Sequence, residues 1–157
     1  MPPGKPGHFV SRVVLMQKTH TRIFPARYES LAAIGEFITT AAEQAGFDEC
    51  TAYQIQLAID EACANIIEHA YGEEGSGVIQ CSYRIRDDAL VVMLRDTGEP
   101  FDPETVPEPN LSANLEERTG GGLGLYLIRR IMDEVNFDFE SERGNVLTLI
   151  KRKRDTC

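Results

Sequence analysis

The sequence contains no tryptophan, only three histidines and more acidic than basic residues. Its 16 lysines and arginines are outnumbered by 25 aspartates and glutamates, so the formal net charge is -9. Because an acidic chain is repelled by a phosphate backbone, we expect no direct binding of nucleic acid. No apolar run approaches the roughly 18 residues of a membrane span, and no signal peptide is recognisable near Met1. We therefore expect a cytoplasmic protein that is not attached to a membrane.

The four cysteines show none of the spacings that typically bind a metal ion. Cys63 falls within an apolar helical pattern and Cys81 within a strand pattern, which predicts that both are buried. Reduced cysteines are the expectation for a chain of this compartment.

The start of the chain is rich in proline and glycine, which predicts a flexible tail at residues 1–8, and the chain length suits a single domain at residues 9–157. Strands that pair as hairpins and few helices favour an α+β fold: a two-layer sandwich with a mixed, mostly antiparallel sheet and helices on one face. The proline and glycine content of residues 96–122 predicts an unusually long loop, and such loops are typically functional or disordered. The expected elements are strands at 9–15 and 19–24, helices at 28–45 and 51–69, strands at 78–86 and 89–95, a helix from 123, and strands at 135–141 and 146–151.

The second predicted helix carries Glu61 and Asn65 four residues apart, so the two side chains share a face. They stand at the edge of the apolar stripe, where they could line a groove beside the core. A carboxylate can accept a proton, and an amide oxygen suits Mg²⁺. The alternative is that both are ordinary surface residues of an amphipathic helix.

Asp96, Thr97 and Gly98 follow the end of a predicted strand. A buried carboxylate there could accept a hydrogen bond from an exocyclic amine such as that of adenine, and Gly98 would let a flat ring approach the backbone. A plain Asp-x-Gly turn is the alternative.

The run from Thr119 to Leu125 is rich in glycine and leads directly into a helix. Its backbone N–H groups could converge on an anion, aided by the positive end of the helix. No strand directly precedes the run and no Lys-Ser or Lys-Thr follows it, which argues against a dinucleotide fingerprint and a Walker loop. A hinge or linker remains the alternative.

Together, the three segments resemble the GHKL ATPases, the superfamily of histidine-kinase catalytic domains and gyrase-type ATPases. The strings DEACANIIEHAY, RDTGEPFD and GGGLGLYLIRRIMDEV are most similar to the anti-sigma-factor serine/threonine kinases of that superfamily. The resemblance covers about residues 20–150 and implies the GHKL, or Bergerat, ATP-binding fold with ATP and Mg²⁺ as cofactors.

The resemblance implies a catalytic role for Glu61 as general base and for Arg118 as a lid arginine that could stabilise a γ-phosphate. It implies that Asn65 holds the Mg²⁺ ion that bridges the phosphates.

The resemblance also implies which residues bind the nucleotide. Asp96 would bind the adenine amine beside Gly98, and Thr148 matches a late-strand hydroxyl near the base. Pro100 departs from the pattern, since many relatives have a second glycine there. The residues that would shape the phosphate loop are Gly120, Gly122, Leu123 and Gly124.

The implied activity is a serine/threonine kinase that phosphorylates a small anti-sigma antagonist of the STAS type and sequesters a sigma factor, as a homodimer. Two alternatives stay open: an ATP-gated regulator without significant kinase activity, and a catalytic-domain fragment of a histidine kinase. The basic run Lys151–Arg154 is interpreted as a solvated strand end, not as a nucleic-acid patch.

Overall fold

The computed structural model describes residues 18–100, 123–139 and 142–154. The expected tail at residues 1–8 and strand at residues 9–15 lie outside these ranges. The described strands are β1 (His20–Pro25), β2 (Val78–Ile85), β3 (Ala89–Asp96), β4 (Glu134–Asp138) and β5 (Asn145–Arg152). The described helices are α1 (Leu31–Gln44), α2 (Glu49–Asn65) and α3 (Leu123–Ile131), with a 3₁₀ turn at Tyr28–Ser30 and a π-helical turn at Ile66–Tyr71.

The five described strands form one sheet in the order β1-β2-β3-β5-β4, and each neighbouring pair is antiparallel. Two pairs, β2–β3 and β4–β5, are hairpins, as the predicted strand pairing requires. Strand β5 lies between β3 and β4, so the end of β3 faces the start of β5 and Asp96 pairs with Asn145.

The three described helices pack on one face of this sheet. Alternate residues of β3, Leu90, Val92 and Leu94, belong to the same buried cluster as the apolar stripes of α1 and α2. Asp96 is the next residue on that face. The predicted α+β fold, with two layers and a mostly antiparallel sheet, is confirmed for the described part of the chain.

The helix boundaries follow local signals. Asp48 caps α2, since its Oδ1 accepts a hydrogen bond of 2.7 Å from the backbone N–H of Thr51. Gly46, with a φ of 91°, follows the end of α1, where glycine readily adopts the left-handed conformation that stops a helix. The second predicted helix extended to His69, but the α-helix ends at Asn65 and the chain continues as the π-helical turn.

The basic run at the end of β5 contacts neighbouring elements. Lys151 donates to the carbonyl of Ile131 at the end of α3, at 2.7 Å. Arg152 pairs with Glu134 at 3.0 Å and Arg154 with Asp133 at 3.5 Å. These contacts fit the interpretation of the run as a strand end.

Cys63 and Cys81 are free and buried, as predicted. Burial raises the pKa of both thiols, that of Cys81 to about 12, so neither is a reactive thiolate near neutral pH. The expectation of reduced cysteines is wrong for Cys50, which is exposed at the start of α2 and disulfide-bonded. No helix within the described ranges has the length and apolarity needed to cross a membrane.

Candidate functional site

Asp96 is the last residue of β3 and is 6% exposed on the helix-covered face of the sheet. Its Oδ1 accepts hydrogen bonds from the backbone N–H of Gly98, at 2.9 Å, and from Nδ2 of Asn145, at 2.8 Å. Its Oδ2 accepts no hydrogen bond from the described residues. The arrangement holds the carboxylate through one oxygen and leaves the other available to a ligand.

Asn145 is a site residue that no motif in the sequence indicates. Its buried amide donates both to Asp96 and to the carbonyl oxygen of Gly98, at 2.9 Å, and so fixes the turn that follows β3. The only sequence signal is that Asn145 begins a strand after Gly144. Its importance depends on the pairing of β3 with β5, which the sequence did not reveal.

The structure does not place Thr148 beside Asp96. Residues of β5 alternate between faces, and Asn145, Leu147 and Leu149 are buried on the side of the helices. Thr148 is on the opposite face, beside Met93 and Asn136 of the neighbouring strands. The residue of β5 that contacts Asp96 is therefore Asn145.

Asn65 and Asp96 line one open cavity between α2, α3 and the sheet. Its wall is mostly apolar, and a few polar groups enter it. The lining side chains include Ile66, Ala70, Ile128, Phe137, Phe139 and Leu147.

Glu61 does not line the cavity but lies one helical turn before Asn65 on α2. Its carboxylate rests against the first turn of α3, because a Cβ added to Gly124 would lie 2.7 Å from Oε2 of Glu61. The same Cβ would lie 3.8 Å from Nδ2 of Asn65. Gly124 therefore lets α3 approach both polar side chains, and neither side chain has a hydrogen bond to the described residues.

Leu123 is the first residue of α3 and is 42% exposed. The other predicted residues of the glycine-rich segment, Gly120 and Gly122, lie outside the described residues, as does Arg118. The structure thus gathers Glu61, Asn65 and Gly124 at one end of the site.

The turn after Asp96 is in direct contact with the π-helical turn. A Cβ at Gly98 would overlap the carbonyl oxygen of Ala70, and it would lie 2.5 Å from that carbonyl carbon. The backbone N–H of Glu99 donates to the same carbonyl, at 2.7 Å. The role of Gly98 in this structure is thus close contact with Ala70.

These features fit a purine nucleotide. Apolar walls suit a flat ring, and the open Oδ2 of Asp96 is placed to accept from an exocyclic amine. The Asn65 side chain supplies an amide oxygen, a hard ligand of the kind that Mg²⁺ accepts. Beside it, the N-terminus of α3 favours negative charge.

Comparison with known proteins identifies the family of this fold. A model of the family described as the histidine kinase-like ATPase domain matches residues 24–151. The chain belongs to the histidine kinase-like ATPase family. The relationship confirms the superfamily that the three motifs predicted, and ATP binding is the common property that the name of the family states.

Among curated relatives, several bacterial serine-protein kinases named RsbW are similar over most of the chain, which confirms the predicted branch. The protein of Bacillus velezensis is 29% identical over 131 residues, covering 81% of each chain. That of Bacillus cereus is 35% identical over 115 residues, covering 71% of each chain. That of Listeria innocua is 31% identical over 140 residues, which are 85% of this chain and 89% of the relative.

Two solved structures have a similar fold. The RsbU and RsbW domains of Rv1364c from Mycobacterium tuberculosis match with a TM-score of 0.60 and 17% identity, over 89% of this chain and 34% of that chain. The present chain therefore spans about a third of that protein. The catalytic domain of the histidine kinase ThkA matches with a TM-score of 0.51 and 16% identity, over 85% and 98% of the two chains.

Proposed function

We propose that this protein is an ATP-dependent serine/threonine protein kinase that acts as an anti-sigma factor. Its substrate is a small anti-sigma antagonist of the STAS type, and its second partner is a sigma factor that it holds inactive. We further propose that residues 9–157 act as one domain, that Mg²⁺ accompanies ATP, and that the protein works as a cytoplasmic homodimer. The relatives named as serine-protein kinases RsbW support the activity.

One observation carries the proposal. A buried carboxylate with an open oxygen, Asp96, shares a cavity with Asn65, and Glu61 lies beside Asn65 at the N-terminus of α3. A site that only binds a nucleotide needs Asp96 and Asn65. The Glu61 carboxylate, which has no hydrogen bond to the described residues, is the feature that a phosphoryl transfer to a hydroxyl would use.

In this mechanism, Asp96 orients the base of the nucleotide through Oδ2, and Asn145 keeps the Asp96 carboxylate in place. Asn65 would hold Mg²⁺, whose charge offsets the negative charge of the phosphates. Glu61 accepts the proton of the serine or threonine hydroxyl. Gly124 leaves room for the Glu61 carboxylate beside Asn65.

Thermal unfolding with and without about 1 mM Mg-ATP tests the nucleotide site. A ligand at about 100 times its dissociation constant adds about 2.7 kcal/mol, which for a domain of this size raises Tm by roughly 5–10 °C. Asp96→Asn should lose this increase, because an amide at this position no longer offers a carboxylate oxygen. Asp87→Asn, in the exposed turn between β2 and β3, is the matched control and should keep it.

Transfer of labelled phosphate from ATP to STAS-domain proteins of the same organism tests the kinase. Glu61→Gln should lower turnover by roughly 10²–10⁴-fold while ATP binding stays. The control Glu43→Gln removes an exposed carboxylate near the end of α1 and should leave turnover unchanged. ATP binding without transfer to any such protein would instead favour the ATP-gated regulator.

A further inference from the structure

The π-helical turn contains a tyrosine, Tyr71, whose hydroxyl connects two separate parts of the chain. Its Oη lies 2.6 Å from the carbonyl oxygen of Val78, at the start of β2, and 3.1 Å from the backbone nitrogen of Thr97. A hydroxyl has one proton, and a carbonyl can only accept. Oη therefore donates to Val78 and accepts from the N–H of Thr97.

The hydroxyl of Tyr71 thus binds the residue next to Asp96, the carboxylate proposed to bind the nucleotide. Thr97 directly follows Asp96, and the two next N–H groups along the chain are also bound. That of Gly98 donates to Asp96 Oδ1, and that of Glu99 donates to the carbonyl of Ala70. The π-helical turn thus supplies the acceptors for two of these three backbone N–H groups.

The ring of Tyr71 packs beside Gly77, the residue just before β2. A Cβ at Gly77 would overlap the ring, so the glycine just before β2 lets the aromatic side chain lie close to the backbone. Because the ring is held there, the hydroxyl is a fixed acceptor for Thr97 and not a mobile surface group.

We infer that Tyr71 is a positioning residue that sets the selectivity of the site for the purine amine. Its hydroxyl, through Thr97, fixes the direction of the Asp96 carboxylate and so the place at which Oδ2 accepts a hydrogen bond. The inference rests on the proposed nucleotide site. Loss of the hydroxyl weakens recognition of a 6-amino purine more than that of a 6-oxo purine, because only the amine donates to Oδ2.

The test compares the affinities of ATP and inosine triphosphate for the full chain. The wild-type protein should prefer ATP by roughly 10–100-fold, the value of a hydrogen bond to a charged group. Tyr71→Phe keeps the ring, and it should narrow this ratio by about threefold or more while affinity for inosine triphosphate changes little. Tyr53→Phe removes the hydroxyl of an exposed tyrosine on α2 and should leave the ratio unchanged.

The outcomes separate the two proposals. If Tyr71→Phe leaves the ratio of the two affinities unchanged, whether or not both affinities fall, the role of Tyr71 is overturned and the nucleotide site stands. Wild-type protein that binds neither nucleotide refutes the site itself. Amide hydrogen exchange of the wild-type protein gives a check without any substitution: the N–H of Thr97 should be protected, and fast exchange there would also overturn the inference.

Discussion

The contact of Gly98 with the carbonyl group of Ala70 predicts that alanine lowers Tm at Gly98, whereas alanine at Gly35 does not. Gly98→Ala would place a methyl group against the carbonyl group of Ala70, 2.5 Å from its carbon and 2.9 Å from the Ala70 Cβ. These are atoms of the main chain and its first side-chain carbon, and they cannot rotate aside. The turn after Asp96 must therefore move away from the π-helical turn.

The cost of this movement follows from two terms. Overpacking at a rigid contact costs about 1–3 kcal/mol. Stretching the hydrogen bond from Glu99 to Ala70 adds about 1 kcal/mol. For a domain of this length, the sum lowers Tm by roughly 5–15 °C. Because Asp96 is fixed by the same turn, we also expect ATP to bind at least about tenfold more weakly.

Gly35→Ala in α1 is the matched control. The added Cβ would approach the end of the Gln56 side chain, 2.7 Å from Nε2, and a flexible amide can turn away. Alanine is favoured over glycine in a helix by about 1 kcal/mol, so Tm should stay or rise by a few degrees. Differential scanning calorimetry with and without Mg-ATP measures both variants. Equal Tm changes in the two variants would refute the argument from backbone contact.

Three further predictions concern α2 and α3. Gly124→Ala should leave Tm nearly unchanged but slow phosphate transfer by roughly 10–100-fold in a single-turnover assay, because the new methyl group displaces the Glu61 carboxylate. Asp60→Asn should be more stable than wild type near neutral pH in urea unfolding. Burial, aided by repulsion from Glu61, raises the pKa of Asp60 above its ordinary 3.8. The folded chain therefore keeps the proton to higher pH than the unfolded chain. The stability contributed by protonated Asp60 is complete below 3.8 and is lost as pH rises through the raised pKa, so the advantage of the variant should vanish in acid. Asp48→Ala removes the cap on Thr51 and should cost about 1 kcal/mol, measured as a lower urea midpoint with an unchanged slope.

The sequence predicted most of the fold because its signals are local. Apolar periodicity predicted the helices at residues 28–45 and 51–69, and strand patterns at residues 78–86 and 89–95 predicted the hairpin of β2 and β3. The π-helical turn was not predictable, since Ile66–Tyr71 keeps an apolar pattern that is compatible with either helical type.

The candidate site was predicted only where a motif carries its own chemistry. Glu61 and Asn65 share a helix face because of their spacing, and Asp96 follows a strand. Asn145 depends on the insertion of β5 beside β3, a non-local event that no spacing encodes. Thr148 carries a hydroxyl on the strand that contacts Asp96, but the alternation of faces along β5 places it on the face away from the helices.

The π-helical turn limits how this sequence can change by insertion and deletion. Such a turn accommodates one residue more than an α-helical turn, so removing a single residue between Ile66 and Tyr71 would restore α-helical phase. Each residue of an α-helix turns the chain by about 100°, so Ala70 and Tyr71 would rotate out of reach of the segment after Asp96. We therefore expect that the number of residues between Asn65 and Gly72 tolerates less variation than their identity.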